Sequence, residues 1–268
     1  MRFTIEDLQV TIDLENSIRV SIPMDFDGEQ PRHFGATPAS AQPMQIDSFI
    51  GNVSQGGSCN VFELQLNPHC NGTHTEGAGH ILQEIIPINE ILQQTFFPAT
   101  LITVEPQPAL STEDTYHPQL EEGDRVITRD ILNEALKDAS IPFLQGLVIR
   151  TLPNDSSKCT RNYLKHPAPF FTCEAIQYLN GLGVEHLLVD IPSVDRMFDE
   201  GLLTIHHLFW NIPPGSSRPA EESWLQKTIT EMIFVRNDIP DGHYICQIQI
   251  PDFQLDAAPS RVQFYPIL

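Results

Sequence analysis

Apolar and polar residues alternate with period two over Phe3–Ile5, Leu8–Ile12 and Ile18–Ile22, which predicts strands. A turn-rich stretch from Asp25 to Pro43 follows, holding Gly28, Pro31, Gly35, Pro38 and Pro43, and reads as a long loop inside a domain. Cys59–Leu66 gives the clearest strand pattern and is closed by Asn67-Pro68, where a proline stops the ladder. Further on, strands alternate with helices. Leu101–Val104 reads as a strand, and Thr128 caps a helix whose Ile131, Leu132, Ala135 and Leu136 recur at helical spacing. Gly146–Thr151 is a short apolar strand of the buried type. Thr172 caps a helix through Leu179 that Gly181 and Gly183 stop, and His186–Asp190 is the next strand. This is a strand–helix–strand unit with the loop Ile191–Asp195 at the carboxyl end of its second strand, where open α/β sheets place ligands. Thr228–Phe234 and Tyr244–Ile250 are strands joined across the turn-forming Asp238–Gly242, and Arg261–Tyr265 is the last. No repeat, low-complexity segment or composition shift divides the chain, so the expectation is one α/β domain over residues 1–268.

The balance of charge narrows the partners. Against 35 Asp and Glu stand 15 Lys and Arg, a net charge of -20, which is the reverse of a phosphate-backbone binder and argues against nucleic acid and anionic membrane. No run approaches the roughly 18 apolar residues of a membrane span, and the N-terminus lacks the apolar core of a signal peptide. Five scattered cysteines without a C-x-x-C pair read as reduced thiols of a cytoplasmic protein.

The segment Asn67–His80 gathers the chemistry: His69, His74 and His80, Cys70 and Glu76, with glycines at 72, 77 and 79. Imidazole and carboxylate suit Zn²⁺, Mn²⁺ or Fe²⁺, and a thiol tilts the choice toward zinc. It reads as one loop whose glycines let side chains converge on an ion. The alternative is a solvated histidine-rich surface loop. Two further features favour a metal. His206-His207 lies in an apolar stretch from Leu202 to Trp210, and Glu231 stands inside an apolar strand, where an isolated carboxylate is costly to bury without a compensating cation or donor; the alternatives are an outward-facing Glu231 and a pair with one core and one exposed histidine. No G-x-S-x-G elbow and no phosphate-binding glycine loop is present.

The Asn67–His80 segment resembles the H-x-G-T-H-x-D-x-x-x-H motif of the metal-dependent cyclase-like hydrolases, the family that includes bacterial kynurenine formamidase. The resemblance continues in order through Leu147–Thr151, Gly183–Asp195 (similar to G-V-x-x-x-G-I-D-x-x-S-V-D), the His206 segment, Ile239–Tyr244 and Ala258–Val262. It implies a swivelling β/β/α fold, one or two divalent ions (zinc or manganese) and hydrolysis of an amide, lactone or ester-like bond in a small molecule by metal-activated water. It also implies a homo-oligomer. Carried over by motif position, His74, Glu76, His206 and Glu231 are metal ligands and His80 transfers the proton. His207 is the rival of His206. The first ligand position of the motif is Cys70, with His69 one residue further away; His69 is the reading taken and Cys70 the alternative. Glu76 replaces an aspartate, and Gly77-Ala78 replaces Ala-Pro. The competing class is a family member that has lost catalysis and binds a metabolite or serves structurally.

Overall fold

The computed structural model describes residues 1–268. Its frame is one curled nine-stranded sheet. The strands are β1 (Ile18–Arg19), β2 (His74–Gly77), β3 (Phe96–Val104), β4 (Gly146–Thr151), β5 (His186–Val189), β6 (Thr228–Glu231), β7 (Gly242–Gln249), β8 (Ala257–Pro259) and β9 (Arg261–Pro266). Their spatial order is β8-β2-β6-β5-β4-β3-β7-β9-β1. The central run β3, β4, β5, β6 is parallel, and antiparallel pairs extend it on both sides. The α-helices are α1 (Ile88–Ile91), α2 (Arg129–Ala135), α3 (Cys173–Gly181) and α4 (Thr204–Phe209), and short two- and three-stranded sheets and 3-10 turns lie outside this frame. This mixed arrangement is the α/β fold class that the sequence predicts.

The parallel strands read as continuous apolar runs because both their faces are covered. Leu147, Ile149, Leu187 and Val189 point into a 29-residue core that includes Leu132, Ile176 and Ile205 from α2, α3 and α4. The alternate positions, Val148, Leu188, Leu101 and Phe97, join Cys246, Ile248, Val262 and Phe264 in a second core of 15 residues on the other side. The predicted caps are in place: Thr128 Oγ1 accepts from Ile131 N at 3.4 Å and Thr172 Oγ1 from Ala175 N at 3.2 Å. All five cysteines are free.

Three expectations are corrected. The strand in Cys59–Leu66 shortens to Phe62–Gln65, lies outside the large sheet and pairs only with Ser40–Pro43. No layer covers that ribbon, so Phe62 and Leu64 are exposed in spite of their alternation. Asn67–His80 is not one loop, because His74–Gly77 is the interior strand β2, fully buried between β6 and β8. It carries no apolar signal because its side chains are polar and turned to particular neighbours: Thr75 and Thr230 hydroxyls pair at 2.8 Å, and His74 and Glu76 face the site. Finally, the strand read over Thr228–Phe234 ends at Glu231, and the turn at Asp238–Gly242 sits in a crossover, since β5, β4 and β3 lie between β6 and β7. Arg150 pins that crossover, donating to Arg236 O (2.7 Å) and Ile239 O (2.9 Å) and pairing with Asp241 (2.8 Å).

Candidate metal centre

Side chains two apart on a strand share a face, and residues opposite each other on antiparallel strands have neighbouring Cβ atoms. His74 and Glu76 therefore project to one side of β2, and the register that sets His74 opposite Glu231 brings the glutamate of β6 to the same side. His74 Nε2 lies 3.4 Å from Glu231 Oε2 and 3.9 Å from Glu76 Oε2. All three residues are buried, at 0%, 1% and 3% exposure. Met232, directly after Glu231, takes φ 52°, a left-handed conformation that is uncommon for a bulky residue and that ends the strand at the glutamate.

The other histidines arrive from three elements. His69 comes from the turn before β2, held by Asn71 Oδ1, which accepts from Asn67 N at 2.7 Å. Its Nδ1 lies 2.8 Å from Glu76 Oε2 and its Nε2 2.8 Å from Asp256 Oδ2. His80 ends the helical turn Ala78–His80 that follows β2 and stacks on the His69 ring, centroids 4.2 Å apart. A Cβ on Gly79 would sit 2.7 Å from the backbone oxygen of Ile86, so glycine lets this turn approach so closely. His206 sits on α4, its Nε2 3.0 Å from Glu76 Oε1 and its Nδ1 donating to Asp195 Oδ2 at 2.6 Å.

The loop after β5 orders this arrangement. Asp190 accepts from Thr151 N (2.9 Å), Thr151 Oγ1 (2.7 Å) and Lys158 Nζ (2.7 Å), all buried, which fixes the start of the loop. Val194 N then donates to Glu231 Oε1 at 2.9 Å. Asp195 accepts from the backbone N–H groups of Ile205 and His206 at the start of α4 and from Tyr116 Oη at 2.8 Å.

The electrostatics of the cluster is that of a cation site. Burial alone would lower the His69 and His206 pKa values, but flanking carboxylates overcome it, taking His69 up to about 10 and His206 well above its ordinary value. Burial would likewise raise Glu76, but His80, His206 and His69 hold its carboxyl well below the usual range. In both His69 and His206, each ring nitrogen faces a carboxylate. One proton on each ring thus stands where a metal ion would satisfy the same oxygens. His74 settles the fit. Its Nδ1–H donates to Gly72 O at 3.0 Å, so Nε2 carries a lone pair, and that atom is buried, without a hydrogen-bond partner, facing two carboxylates. A buried nitrogen lone pair facing two carboxylates with no donor between them fits a divalent cation.

Ligand atoms of His69, His74 and Glu76, and likewise of Glu76, His80 and His206, lie within 4.8 Å of one another. The structure thus gathers all six residues singled out from the sequence: His69, His74, Glu76, His80, His206 and Glu231. Neither rival belongs to those sets. His207 Nδ1 faces Ile212 O at 3.3 Å, and Cys70, outside those ligand sets, has its thiol pushed up to about 11 by burial and by Glu231. A cavity of about 590 Å³ opens over the cluster, lined by His33, Phe34, His69, Cys70, Glu76, His80, Arg196, Phe198, Glu200, Leu203, His206 and Glu231 among others. Phe34, Glu200 and Leu203 on its wall hold positive φ, the strained backbone that collects at functional sites.

The sequence profile of the putative cyclase family matches residues 8–196. The chain belongs to the putative cyclase family. No curated protein matches it. Among solved structures, it resembles a predicted metal-dependent hydrolase from Bacillus stearothermophilus at 15% identity over 93% of this chain and 98% of that one, TM-score 0.56. It also resembles isatin hydrolase A from Labrenzia aggregata, bound to benzyl benzoate, at 14% identity over 93% of each chain, TM-score 0.58. An isatin hydrolase bound to the product analogue thioisatinate is similar at 12% identity over 94% and 93% of the two chains, TM-score 0.56. At these identities the likeness is one of fold. In this cyclase-family chain, sequence reasoning missed four residues of the centre. Asp195 lay inside a recognised motif but read only as part of a turn. Asp256 and Tyr116 carried no signal. His33, buried with Nδ1 unpartnered on the cavity wall, stood in a segment read as loop.

Proposed function

We propose that the chain is a metal-dependent hydrolase of an amide, lactone or ester-like bond in a small molecule, with His69, His74, Glu76, His206 and Glu231 holding the ion or ions and His80 moving the proton. The observation that carries this reading is the buried, unpartnered Nε2 of His74 facing Glu76 and Glu231. A divalent cation bound there supplies a polarising centre for a carbonyl and lowers the pKa of a coordinated water from about 15.7 toward about 7. Asp195 turns the lone pair of His206 Nε2 inward by accepting from Nδ1–H, and Gly72 O does the same for His74. His80 stands at the cavity with its Nδ1 against Asp256, which leaves Nε2 free to take a proton from the nucleophile and return it to the leaving group. Zinc and manganese both suit two or three imidazoles with glutamates.

The test is metal analysis of the purified protein followed by a hydrolysis screen over formamides such as N-formylkynurenine, cyclic amides such as isatin, and lactones. Stoichiometric metal with turnover is expected. Replacing His80 with alanine should lower kcat by about 100-fold or more while metal content stays near wild type. Loss of metal in that variant would make His80 a ligand instead, and repeated absence of both metal and turnover would favour the non-catalytic, metabolite-binding reading.

A further inference from the structure

One carboxylate at the centre, Asp256, lies off the cavity wall, and its oxygen falls within 4.8 Å of the ligand atoms of His69 and His80. Asp256 immediately precedes β8, whose pairing with β2 sets Ala257 opposite Glu76, and its backbone oxygen accepts from Gly77 N at 3.0 Å. From that anchored position a single oxygen, Oδ2, reaches two imidazoles: His69 Nε2 at 2.8 Å and His80 Nδ1 at 3.3 Å. The two rings lie stacked at 4.2 Å and 26°. Both rings thus share one acceptor, and each has its opposite nitrogen turned toward Glu76 and the cavity.

A carboxylate only accepts, so it dictates where each ring keeps its proton. With an ion bound, His69 keeps its proton on Nε2 against Asp256 and offers the Nδ1 lone pair beside Glu76. His80 must hold its proton on Nδ1, the reverse of the tautomer a free imidazole favours, which leaves Nε2 as an acceptor over the cavity. Without Asp256, His80 would revert to carrying its proton on Nε2 and could not act as a base from that atom.

We propose that Asp256 is a positioning residue that fixes His80 in its Nδ1–H tautomer and clamps His69 beside it, so that the first metal ligand and the proton-transfer group are set by one carboxylate. The role given to His80 rests on the hydrolase reading above; the placement of its proton does not.

The test reads tautomers directly. In zinc-loaded protein, two-dimensional ¹⁵N–¹H spectra of the imidazoles should show His80 protonated on Nδ1 and a slowly exchanging His69 Nε2–H. In D256A and the isosteric D256N, also zinc-loaded, His80 should pass to the Nε2–H form or a mixture and the His69 proton should exchange freely. Zinc affinity or kcat should fall by about 10- to 100-fold, with KM within about threefold of wild type. D256N guards against a folding defect, since it keeps the shape of the side chain. An unchanged His80 tautomer in folded D256N and D256A, or an Nε2–H form in wild type, overturns the proposal. A switched tautomer with unaltered turnover upholds it and removes His80 from proton transfer instead.

Discussion

Adjacent histidines on one short helix make the sharpest contrast at the scale of single residues. His206 and His207 are both buried, yet successive side chains on a helix point about 100° apart, so only one can face β2. His206 does so, with Asp195 behind it and Glu76 in front. His207 turns to Ile212 O, and burial lowers its pKa, which makes it a neutral core residue. Replacing His206 with alanine should weaken divalent-metal binding by about 10- to 100-fold in a chelator competition, and His207→Gln should leave it within about twofold. Equal losses in both variants would mean that the helix as a whole, and not the His206 imidazole, is what the ion requires. Asp199 works beside this pair: it accepts from Leu203 N at 2.6 Å and Gly201 N at 3.0 Å, which holds the entry to α4, where no side chain of the helix itself serves as a cap.

Among the elements, the start of the parallel run couples stability to pH. Phe97 of β3 stacks on His186 of β5 at 4.2 Å, passing over β4 at Gly146, where a Cβ would lie 2.6 Å from the Phe97 ring. Burial lowers the His186 pKa from 6.5 to about 4, with its Nδ1 against Thr228 Oγ1 at 2.8 Å. Between those two values the unfolded chain binds the proton that the fold refuses, so stability rises with pH: the contribution is complete above about pH 6.5 and lost on descending to about pH 4. The gap between those values corresponds to about 3 kcal/mol. Urea unfolding at pH 7 and pH 4.5 should show wild type losing more stability than His186→Gln, and equal losses would mean that the imidazole is not held neutral. The same strands show what the sequence discloses. Gly146–Thr151, the Thr172-capped helix and the strand from His186 are legible because apolar runs and caps are local signals. β2 is not: His-Thr-Glu-Gly has no apolar period, and only pairing with β6 and β8 makes it a strand. The histidine motif was legible from spacing and resemblance, and Glu231 from the cost of burying a carboxylate. Asp256 and Asp195 act through contacts spanning 187 and 11 residues, to His69 and His206, and neither contact leaves a periodic mark.

Across the whole molecule, charge bears on which substrates reach the centre. The chain carries a net charge of -20, and its long-range field repels anions until salt screens it. No free lysine or arginine on the cavity wall offsets that field. Arg196 is the one lysine or arginine on its wall, and its guanidinium is held by Glu121 at 3.0 Å, Asp124 at 3.2 Å and Gln119 O at 3.3 Å. Glu200 and Asp199 stand on the same wall, and Phe34 and Phe198, both exposed, face each other there at 5.9 Å. An uncharged ester or amide with an apolar group therefore meets no barrier, whereas a carboxylate-bearing analogue must approach against the long-range field with no free lysine or arginine on the wall to receive it. For a matched pair of substrates differing by one carboxylate, kcat/KM of the anionic member should rise several-fold as ionic strength increases from about 0.01 M to about 0.15 M, over which the screening length contracts from about 30 Å to about 8 Å. The neutral member should change by less than about twofold. An anionic substrate that is favoured at low salt and loses rate as salt is added would show that Arg196 leaves its carboxylates to bind substrate, and Arg196→Gln should then abolish that preference.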